Sequence, residues 1–309
     1  MITQDDISAL ESDGYVILRS LLDPDRDLRP FVSEYHDLID RLITTAVADD
    51  PPSRDAGIDE KMSWLMVATG GTCQQTLDFS LPQAGVTQDT PIHLGPAVFD
   101  LLRNNALLDA VEAIIGPEIY SVPVQHTRFK LPEHKLTDSS KGTALAGATN
   151  WHQDLGVLLP EADDSRILSV WFPLTPVNEE TGCLLVIPGS HQGPLLQHDM
   201  TFMNISLSAG EVDESKAIAL PMDVGDVLIF HRRTAHASLP NQSNSVRWSV
   251  DLRYSPIGHA TGRPWFPGFV ARSRESPASI LTDHRAWADA WREARAKLAV
   301  AGDVRFQRW

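Results

Sequence analysis

Residues 246–254 read Val-Arg-Trp-Ser-Val-Asp-Leu-Arg-Tyr, and apolar and polar side chains alternate along the whole stretch. Because successive side chains of a β-strand point to opposite faces, the pattern predicts a strand with one apolar and one polar face. The polar face carries Arg247, Ser249, Asp251 and Arg253. An outer strand of a β-sandwich would alternate in the same way, so the pattern leaves open whether Arg247 points into the protein.

Further short strands are predicted on the N-terminal side of this stretch. Turn sequences separate them, for example Glu-Thr-Gly at 180–182 and Val-Gly-Asp at 224–226. Several strands at short spacing without helices between them favour an antiparallel sandwich or barrel over a parallel sheet. The predicted strands of this region cover 120–131, 166–174, 184–187, 217–220, 227–230 and 246–254, and a further short strand is predicted at 15–18.

Helical patterns flank the strand-rich region on both sides. The first predicted helix has Thr3 as its N-cap and Asp6 three residues later, and Gly14 ends it. The other predicted helices begin at Asp23-Pro24, run over 96–115, and run over 283–298, where four apolar residues share one face. The segments 49–95 and 136–148 are predicted to be rich in loops that shape a pocket mouth, and the tail at 258–309 is expected to cover it.

The composition excludes several classes of function. The 309 residues carry 26 Lys+Arg against 41 Asp+Glu, a formal net charge of −15, which argues against binding to nucleic acid or to an anionic membrane surface. Two cysteines, Cys73 and Cys183, are too few for a disulfide framework or a cysteine-rich zinc site. No apolar run has the length of a membrane span, and the acidic N-terminus lacks a signal-peptide core. A soluble, cytoplasmic protein is therefore expected.

The tripeptide His-Gln-Asp at 152–154 places a histidine and an aspartate two residues apart. On a strand their side chains would point to the same face, so an imidazole and a carboxylate would converge. With a second histidine they would form the ligand set of non-haem iron(II) oxygenases, which leaves metal positions open. In a chain with 11 histidines such a pair also arises by chance, and for the pair alone a solvated or hydrogen-bonded histidine at a strand end is the better explanation.

A downstream segment offers the second histidine. His236 follows an apolar strand and lies far enough beyond Asp154 for several strands to fold back between them. Arg247 comes shortly afterwards, and a guanidinium suits a carboxylate ligand because its planar fork donates two hydrogen bonds.

These residues belong to an ordered set of motifs by which the chain resembles the phytanoyl-CoA dioxygenase family of iron(II)- and 2-oxoglutarate-dependent oxygenases. The set spans nearly the whole chain, and its later members are the more specific. It comprises Asp-Gly-Tyr-Val at 13–16, Leu-Asp-Ala-Val at 108–111, Gly-Pro at 116–117, Phe-Lys-Leu-Pro at 129–132, Trp-His-Gln-Asp at 151–154, Val-Trp-Phe-Pro-Leu at 170–174, Thr-Gly-Cys-Leu at 181–184, Ile-Pro-Gly-Ser-His at 187–191, His-Ala-Ser at 236–238, Asn241, Ser243 and Arg247.

The resemblance implies the fold. Members of the family have a double-stranded β-helix, a cupin-like jelly roll of two facing antiparallel sheets. We therefore expect a mainly β protein with helical flanks. The expected organisation is a single oxygenase domain over 1–309, with a helical part at 1–118, a jelly-roll core at 119–256 and a tail with a helix at 257–309.

The resemblance also implies the metal site and the cosubstrate site. His152, Asp154 and His236 fall on the three iron-ligand positions of the family. Arg247 and Ser238 fall on positions that hold the far carboxylate of 2-oxoglutarate.

Several further residues have weaker assignments. Lys130 and Trp171 match residues around the cosubstrate in the family, and Ser249 is a second choice after Ser238. His191 and His231 are expected to be structural because their spacing does not suit a metal ligand. Three further residues lie near the inferred site in the sequence and are hypothesised to contact substrate or cosubstrate: Gln125, Arg128 and Asn150.

By resemblance, the chain is expected to use Fe(II), 2-oxoglutarate and O₂ to hydroxylate an unactivated C–H bond of a small molecule, releasing succinate and CO₂. Halogenating relatives lack the carboxylate ligand, so the presence of Asp154 argues for oxygenation. Family membership names neither the substrate nor the oligomeric state.

Three alternatives remain at this stage. The same scaffold could catalyse desaturation, epoxidation or ring closure. A non-catalytic jelly-roll protein could bind a small ligand, and a hydrolase could hold Zn²⁺ at the same three residues.

Overall fold

Helices precede and follow the strands in the computed structural model, which describes residues 2–136, 147–200, 205–302, 304–306 and 308–309. The first helix has the predicted capping box: the Thr3 hydroxyl accepts from the Asp6 amide, and the Asp6 carboxylate accepts from the Thr3 amide. A π-helical turn, Pro24–Leu28, with Asp23 as its cap, leads into the second. The helices are α1 Gln4–Asp13, α2 Arg29–Thr45, α3 Ile58–Ala68, α4 Cys73–Leu77, α5 Pro96–Leu102, α6 Asn105–Ile115 and α7 His284–Ala301.

The strands form two main antiparallel sheets and a small hairpin. They are β1 Tyr15–Leu18, β2 Ile119–Lys130, β3 Leu168–Pro173, β4 Leu184–Val186, β5 His198–Met200, β6 Ile205–Leu207, β7 Ile218–Leu220, β8 Val227–His231, β9 His236–Ser238, β10 Arg247–Pro256 and β11 Phe269–Arg272. The larger sheet has the order β1-β8-β3-β10-β2-β11, the smaller one β7-β4-β9, and β5 pairs with β6. All of these pairings are antiparallel, as the turn spacing predicted.

Strand β10 lies inside the larger sheet, between β3 and β2, and both of its faces are buried. Its apolar side chains pack in one core with residues of the helices, where Trp248 stacks on Phe129 and lies against Tyr35 of α2. The predicted tryptophan face of α7 joins the same core, with Trp287 and Trp291 at most 1% exposed. The helices therefore cover the outer face of the larger sheet.

The inner face of the larger sheet is turned toward the smaller sheet. Trp171 of β3 and Phe230 of β8 pack in a second core with Leu184 of β4 and Leu220 of β7. The polar side chains of β10 lie on this inner face, and Arg247 is 1% exposed. Arg247 therefore points into the protein, between the two sheets, which the alternating pattern alone did not decide.

The helix predicted over 96–115 is two helices. Asn104 separates them, since its side-chain oxygen accepts from the amides of Ala106 and Leu107 and so caps α6. The segment 49–95, predicted to be rich in loops, contains α3 and α4, and α3 buries Met62, Leu65 and Met66 on one helical face. Most of the other loop prediction, 137–146, lies outside the described residues.

Strands β5, β6, β9 and β11 have no counterpart among the predicted strands. Each has only three or four residues, and none is a continuous apolar run like the equally short β4 and β7, so no local pattern distinguishes it.

Candidate metal centre

Two histidines and one aspartate converge between the sheets. His152 forms an isolated antiparallel bridge with His236 of β9, with N–O distances of 3.0 and 2.9 Å in the two directions. The two imidazole rings lie 4.1 Å apart between centroids. Asp154 Oδ1 lies 3.7 Å from Nε2 of His152 and 3.8 Å from Nε2 of His236. One ligand atom from each residue falls within 4.8 Å of the others, so the three could hold one metal ion.

The backbone at 152–154 differs from the expected strand. Only His152 is in a β-bridge, and Asp154 begins a short 3₁₀ turn, Asp154–Val157. The convergence of the two side chains therefore depends on the bridge to β9 and on the residues that hold Asp154, rather than on regular strand geometry.

Backbone carbonyls orient both imidazoles. Nδ1 of His152 lies 2.9 Å from the Asn150 carbonyl, and Nδ1 of His236 lies 3.0 Å from the Thr234 carbonyl. A proton on each Nδ1 would satisfy these contacts and leave both Nε2 atoms as acceptors facing Asp154. Burial, with the neighbouring His236, lowers the pKa of His152 to about 3, and burial also lowers the pKa of His236. Both imidazoles are thus neutral at neutral pH, which is the form that binds metal.

The carboxylate of Asp154 is ionised and firmly held. Burial alone would raise its pKa, but the charge and hydrogen bonds of Arg253 outweigh burial and hold the pKa of Asp154 well below its ordinary value. Nη2 of Arg253 lies 2.9 Å from both carboxylate oxygens, and the Ser169 hydroxyl donates to Oδ2. Two neutral imidazoles and one carboxylate fit a divalent metal of the iron type in an open site.

A small cavity adjoins the two histidines, and several cationic side chains line it. Arg247 Nη1 donates to the Gly182 carbonyl at 3.3 Å, and its Nε has no hydrogen-bond partner in the described structure. The guanidinium carbon lies 5.7 Å from the centroid of the Trp171 ring. The lining residues are Arg128, Thr149, His152, Trp171, Leu184, Phe230, His236, Ala237, Arg247, Asp251 and Arg253.

Lys130 lies beside Arg247 at the end of the larger sheet. The two are directly opposed in the register of β2 and β10, and both are 1% exposed. Nζ of Lys130 donates to the hydroxyl of Ser238 at 2.5 Å and to that of Thr149 at 2.8 Å. Burial, with Arg247 and Arg128 nearby, lowers the pKa of Lys130 well below its ordinary value, and burial lowers the pKa of Arg247 to about 9. Like charges opposed across a sheet are unfavourable, so this arrangement suits an anion.

The described structure brings seven predicted residues together in and around one cavity: His152, Asp154, His236, Arg247, Ser238, Lys130 and Trp171. Ser249, the second choice after Ser238, is also buried on the inner face of β10, and its hydroxyl has no partner in the described structure.

Of the three residues predicted to contact substrate or cosubstrate, only Arg128 lines the cavity. The Gln125 side chain donates to the Phe79 carbonyl at 3.0 Å. Asn150 contributes a backbone carbonyl to His152. His191 and His231 contact each other, with ring centroids 5.3 Å apart, and neither belongs to the candidate metal group.

The sequence interpretation missed Arg253 and Ser169, which hold Asp154. A signal for Arg253 was available, because alternation places it on the same face as Arg247. Nothing in the local sequence distinguishes Ser169.

Comparison with known proteins identifies the class. The profile of the family "Phytanoyl-CoA dioxygenase (PhyH)" matches residues 10–249, so the chain belongs to the phytanoyl-CoA dioxygenase family. It is an enzyme of the iron(II)- and 2-oxoglutarate-dependent oxygenases, which use O₂ as the further substrate.

Particular relatives are distant. The chain is 22% identical over 251 residues to a probable phytanoyl-CoA dioxygenase of Caenorhabditis elegans, covering 79% of this chain and 72% of that protein. It is 26% identical to the 1-deoxypentalenic acid 11-beta-hydroxylase of Streptomyces arenae, covering 67% and 76%. Of the bovine and rat peroxisomal phytanoyl-CoA dioxygenases the match spans only 43% and 65%.

A solved structure shows the same fold. EvdO2 from Micromonospora carbonacea var. aurantiaca, complexed with 2-oxoglutarate, superimposes with a TM-score of 0.53 at 18% identity, over 91% of this chain and 98% of that one. Together with the two facing antiparallel sheets, this confirms the predicted jelly-roll core with helical flanks.

Proposed function

We propose that the protein hydroxylates an unactivated C–H bond of a small molecule, with release of succinate and CO₂. The observation that carries the proposal is the pairing of a complete His152, Asp154 and His236 set with two buried cations beside the same cavity. A hydroxylase among the relatives, the Streptomyces enzyme, supports hydroxylation over the other outcomes of this scaffold.

His152, Asp154 and His236 would hold iron(II). When bound there with 2-oxoglutarate, iron(II) supplies the activation of O₂ that drives oxidation of the substrate. Arg247 and Ser238 bind the far carboxylate of 2-oxoglutarate, and Lys130, which already donates to Ser238, places a second positive charge beside it. Trp171 lies under the Arg247 guanidinium and restricts its orientation.

The remaining predictions about the whole chain are kept as proposals. We propose one catalytic domain over 1–309 that acts on a small molecule in the cytoplasm and does not bind nucleic acid. Among the described residues, no helix combines the length and the apolar character that crossing a bilayer requires.

The test begins without oxygen. Adding Fe(II) and then 2-oxoglutarate to the wild-type protein should produce the charge-transfer absorption of the chelate, and Asp154→Ala should not produce it. His134→Ala, which changes an exposed histidine, is the control and should behave as wild type. Admitting O₂ with a panel of small molecules should then yield succinate and a hydroxylated product.

Two outcomes would reject parts of the proposal. A wild-type protein that forms no chelate would remove the cosubstrate assignment. Succinate formation with a desaturated, epoxidised or cyclised product would keep the oxygenase class and replace hydroxylation.

A further inference from the structure

The carboxylate of Asp154 is held on the side away from the histidines by three donor atoms. Nη2 of Arg253 lies 2.9 Å from both oxygens, and Nε of Arg253 lies 3.2 Å from Oδ2. The hydroxyl of Ser169 also donates to Oδ2. Nη2 contacts both oxygens equally, but Nε of Arg253 and the Ser169 hydroxyl contact Oδ2 alone, and Oδ1 is the oxygen that lies nearest to both imidazole Nε2 atoms.

The larger sheet fixes the position of these donors. Arg253 of β10 and Ser169 of β3 are directly opposed in the strand register, and Asp154 lies on the inner face beside them. Arg253, Ser169 and Asp154 are 7%, 0% and 3% exposed, so water does not compete for the carboxylate.

Arg253 is itself held by a further carboxylate. Its Nη1 donates to Oδ2 of Asp251, and Oδ1 of Asp251 accepts from Nε of Arg128 at 2.6 Å. The result is a chain of alternating charges from the partly buried Arg128, on the cavity wall, through Asp251 and Arg253 to Asp154. Such a chain restricts Arg253 to one orientation, because a buried charge that leaves its partners is unstable.

We propose that Arg253, assisted by Ser169, is a positioning residue that presents Asp154 to the metal through Oδ1 alone. A carboxylate that binds through one oxygen uses one coordination position, whereas one that binds through both uses two. The inference rests on the proposed function, because 2-oxoglutarate needs two positions and O₂ a third beside the three protein ligands.

A simpler electrostatic view predicts the opposite effect on metal affinity. A cation beside the site repels a divalent metal, so removing Arg253 would tighten binding if charge alone mattered. If Arg253 positions Asp154, removing it weakens binding, and loss of such supporting contacts to a ligand typically costs 10–100-fold in metal affinity.

The experiment measures binding of Mn(II) alone, by the electron paramagnetic resonance signal of the free ion, and therefore does not depend on turnover. Arg253→Met should raise the Kd for Mn(II) about 10–100-fold. Arg253→Lys keeps the charge and a single donor group, and should recover part of the loss. Circular dichroism and thermal unfolding verify that each variant is folded.

Arg263→Met is the matched control. Arg263 is 1% exposed and close enough to Arg253 for its charge to be felt, but its hydrogen bonds go to the backbone carbonyls of Phe306 and Gly262. Its Kd for Mn(II) should stay within about threefold of wild type, since it removes a buried arginine without touching Asp154.

Unchanged or tighter Mn(II) binding by Arg253→Met would overturn the inference, as would an equal loss in Arg263→Met. If Arg253→Met does not fold, Ser169→Ala and Arg253→Lys decide: weaker binding by both supports positioning, and wild-type binding by both overturns it. If the Kd values for Mn(II) change as expected but the protein never converts 2-oxoglutarate, the inference is supported and the proposed function is rejected. A wild-type protein that binds no Mn(II) would overturn both.

Discussion

Lys130 and Arg247 show how two residues define the charge of the ligand that a site suits. Each is buried and cationic, they are directly opposed across two strands, and the described structure gives neither a carboxylate to pair with. Burial lowers the pKa of both groups, to about 9 for Arg247, so their charged forms are less favoured than those of free side chains. A dianion in the pocket would favour the charged forms and raise both pKa values.

The first prediction is that 2-oxoglutarate binds more weakly as the pH rises. At a pH below the pKa that Lys130 has in the free enzyme, Lys130 is already charged. At a pH above that pKa, Lys130 must take up a proton when 2-oxoglutarate binds. Each pH unit above that pKa then weakens binding by up to about tenfold per proton taken up. The measurement is the Kd of 2-oxoglutarate for the Mn(II) protein from about pH 6.5 to about pH 9.5.

Lys130→Met should bind 2-oxoglutarate more weakly and with a flatter pH dependence, and Lys135→Met, at an exposed lysine, should keep the wild-type slope. An unchanged slope in Lys130→Met would exclude Lys130 as the titrating group.

At the level of elements, the junction between α1 and β1 anchors the first strand onto β8. Gly14 ends α1 with φ +83°, and its carbonyl accepts from the His231 amide at 2.8 Å and from the Thr234 hydroxyl at 2.7 Å. A Cβ at this position would lie 2.4 Å from Nδ1 of His191, a distance that real contacts do not reach. Glycine is therefore required here both by the left-handed backbone and by the close approach of a neighbour.

Gly14→Ala should lower the free energy of unfolding by about 2–4 kcal/mol, combining backbone strain with overpacking. Gly189→Ala is the control, because Gly189 has nearly the same backbone conformation (φ +74°) and no atom within 4 Å of an added Cβ. That variant should lose only about 1–2 kcal/mol. Urea unfolding measures both, and equal losses would show that the contact with His191 contributes nothing.

For the whole molecule, the metal site connects the two sheets. His236 belongs to β9 of the smaller sheet, whereas Asp154 is bound to Ser169 and Arg253 of the larger one. A metal bound to residues of both sheets is released when the sheets separate on unfolding. Because the metal binds only the folded protein, it should stabilise the protein against unfolding.

Mn(II) at about 100 times its Kd should stabilise the protein by about 2.7 kcal/mol, and a chelator should remove the effect. Thermal unfolding with and without the metal measures the difference. His152→Ala removes one of the three candidate ligands, so that variant should unfold at a temperature that Mn(II) does not change. An equal shift in that variant would locate the stabilising metal elsewhere.

The charge of the cavity is opposite in sign to the net charge of the chain. The chain carries a formal net charge of −15, yet its cavity is lined by three arginines, with Lys130 beside them. Net charge describes the surface as a whole, whereas a small anion responds to the few cations that face it.

The sequence by itself determined the longer strands, the capping of α1, the tryptophan face of α7 and, through the motifs shared with a family, the identity of the three candidate metal ligands. These features depend on neighbouring residues or on motifs that are continuous in the chain, so a linear pattern contains them. It also determined that Arg247 and Arg253 share a face of β10.

Only the tertiary structure decided which partner each of these residues meets. Arg253 and Asp154 are 99 residues apart, and their contact depends on the register of β10 against β3 and on the bridge between His152 and His236. A one-residue change in that register would turn the polar face of β10 toward the helices. The physical reason is that strand pairing fixes contacts between distant residues, and no local pattern specifies it.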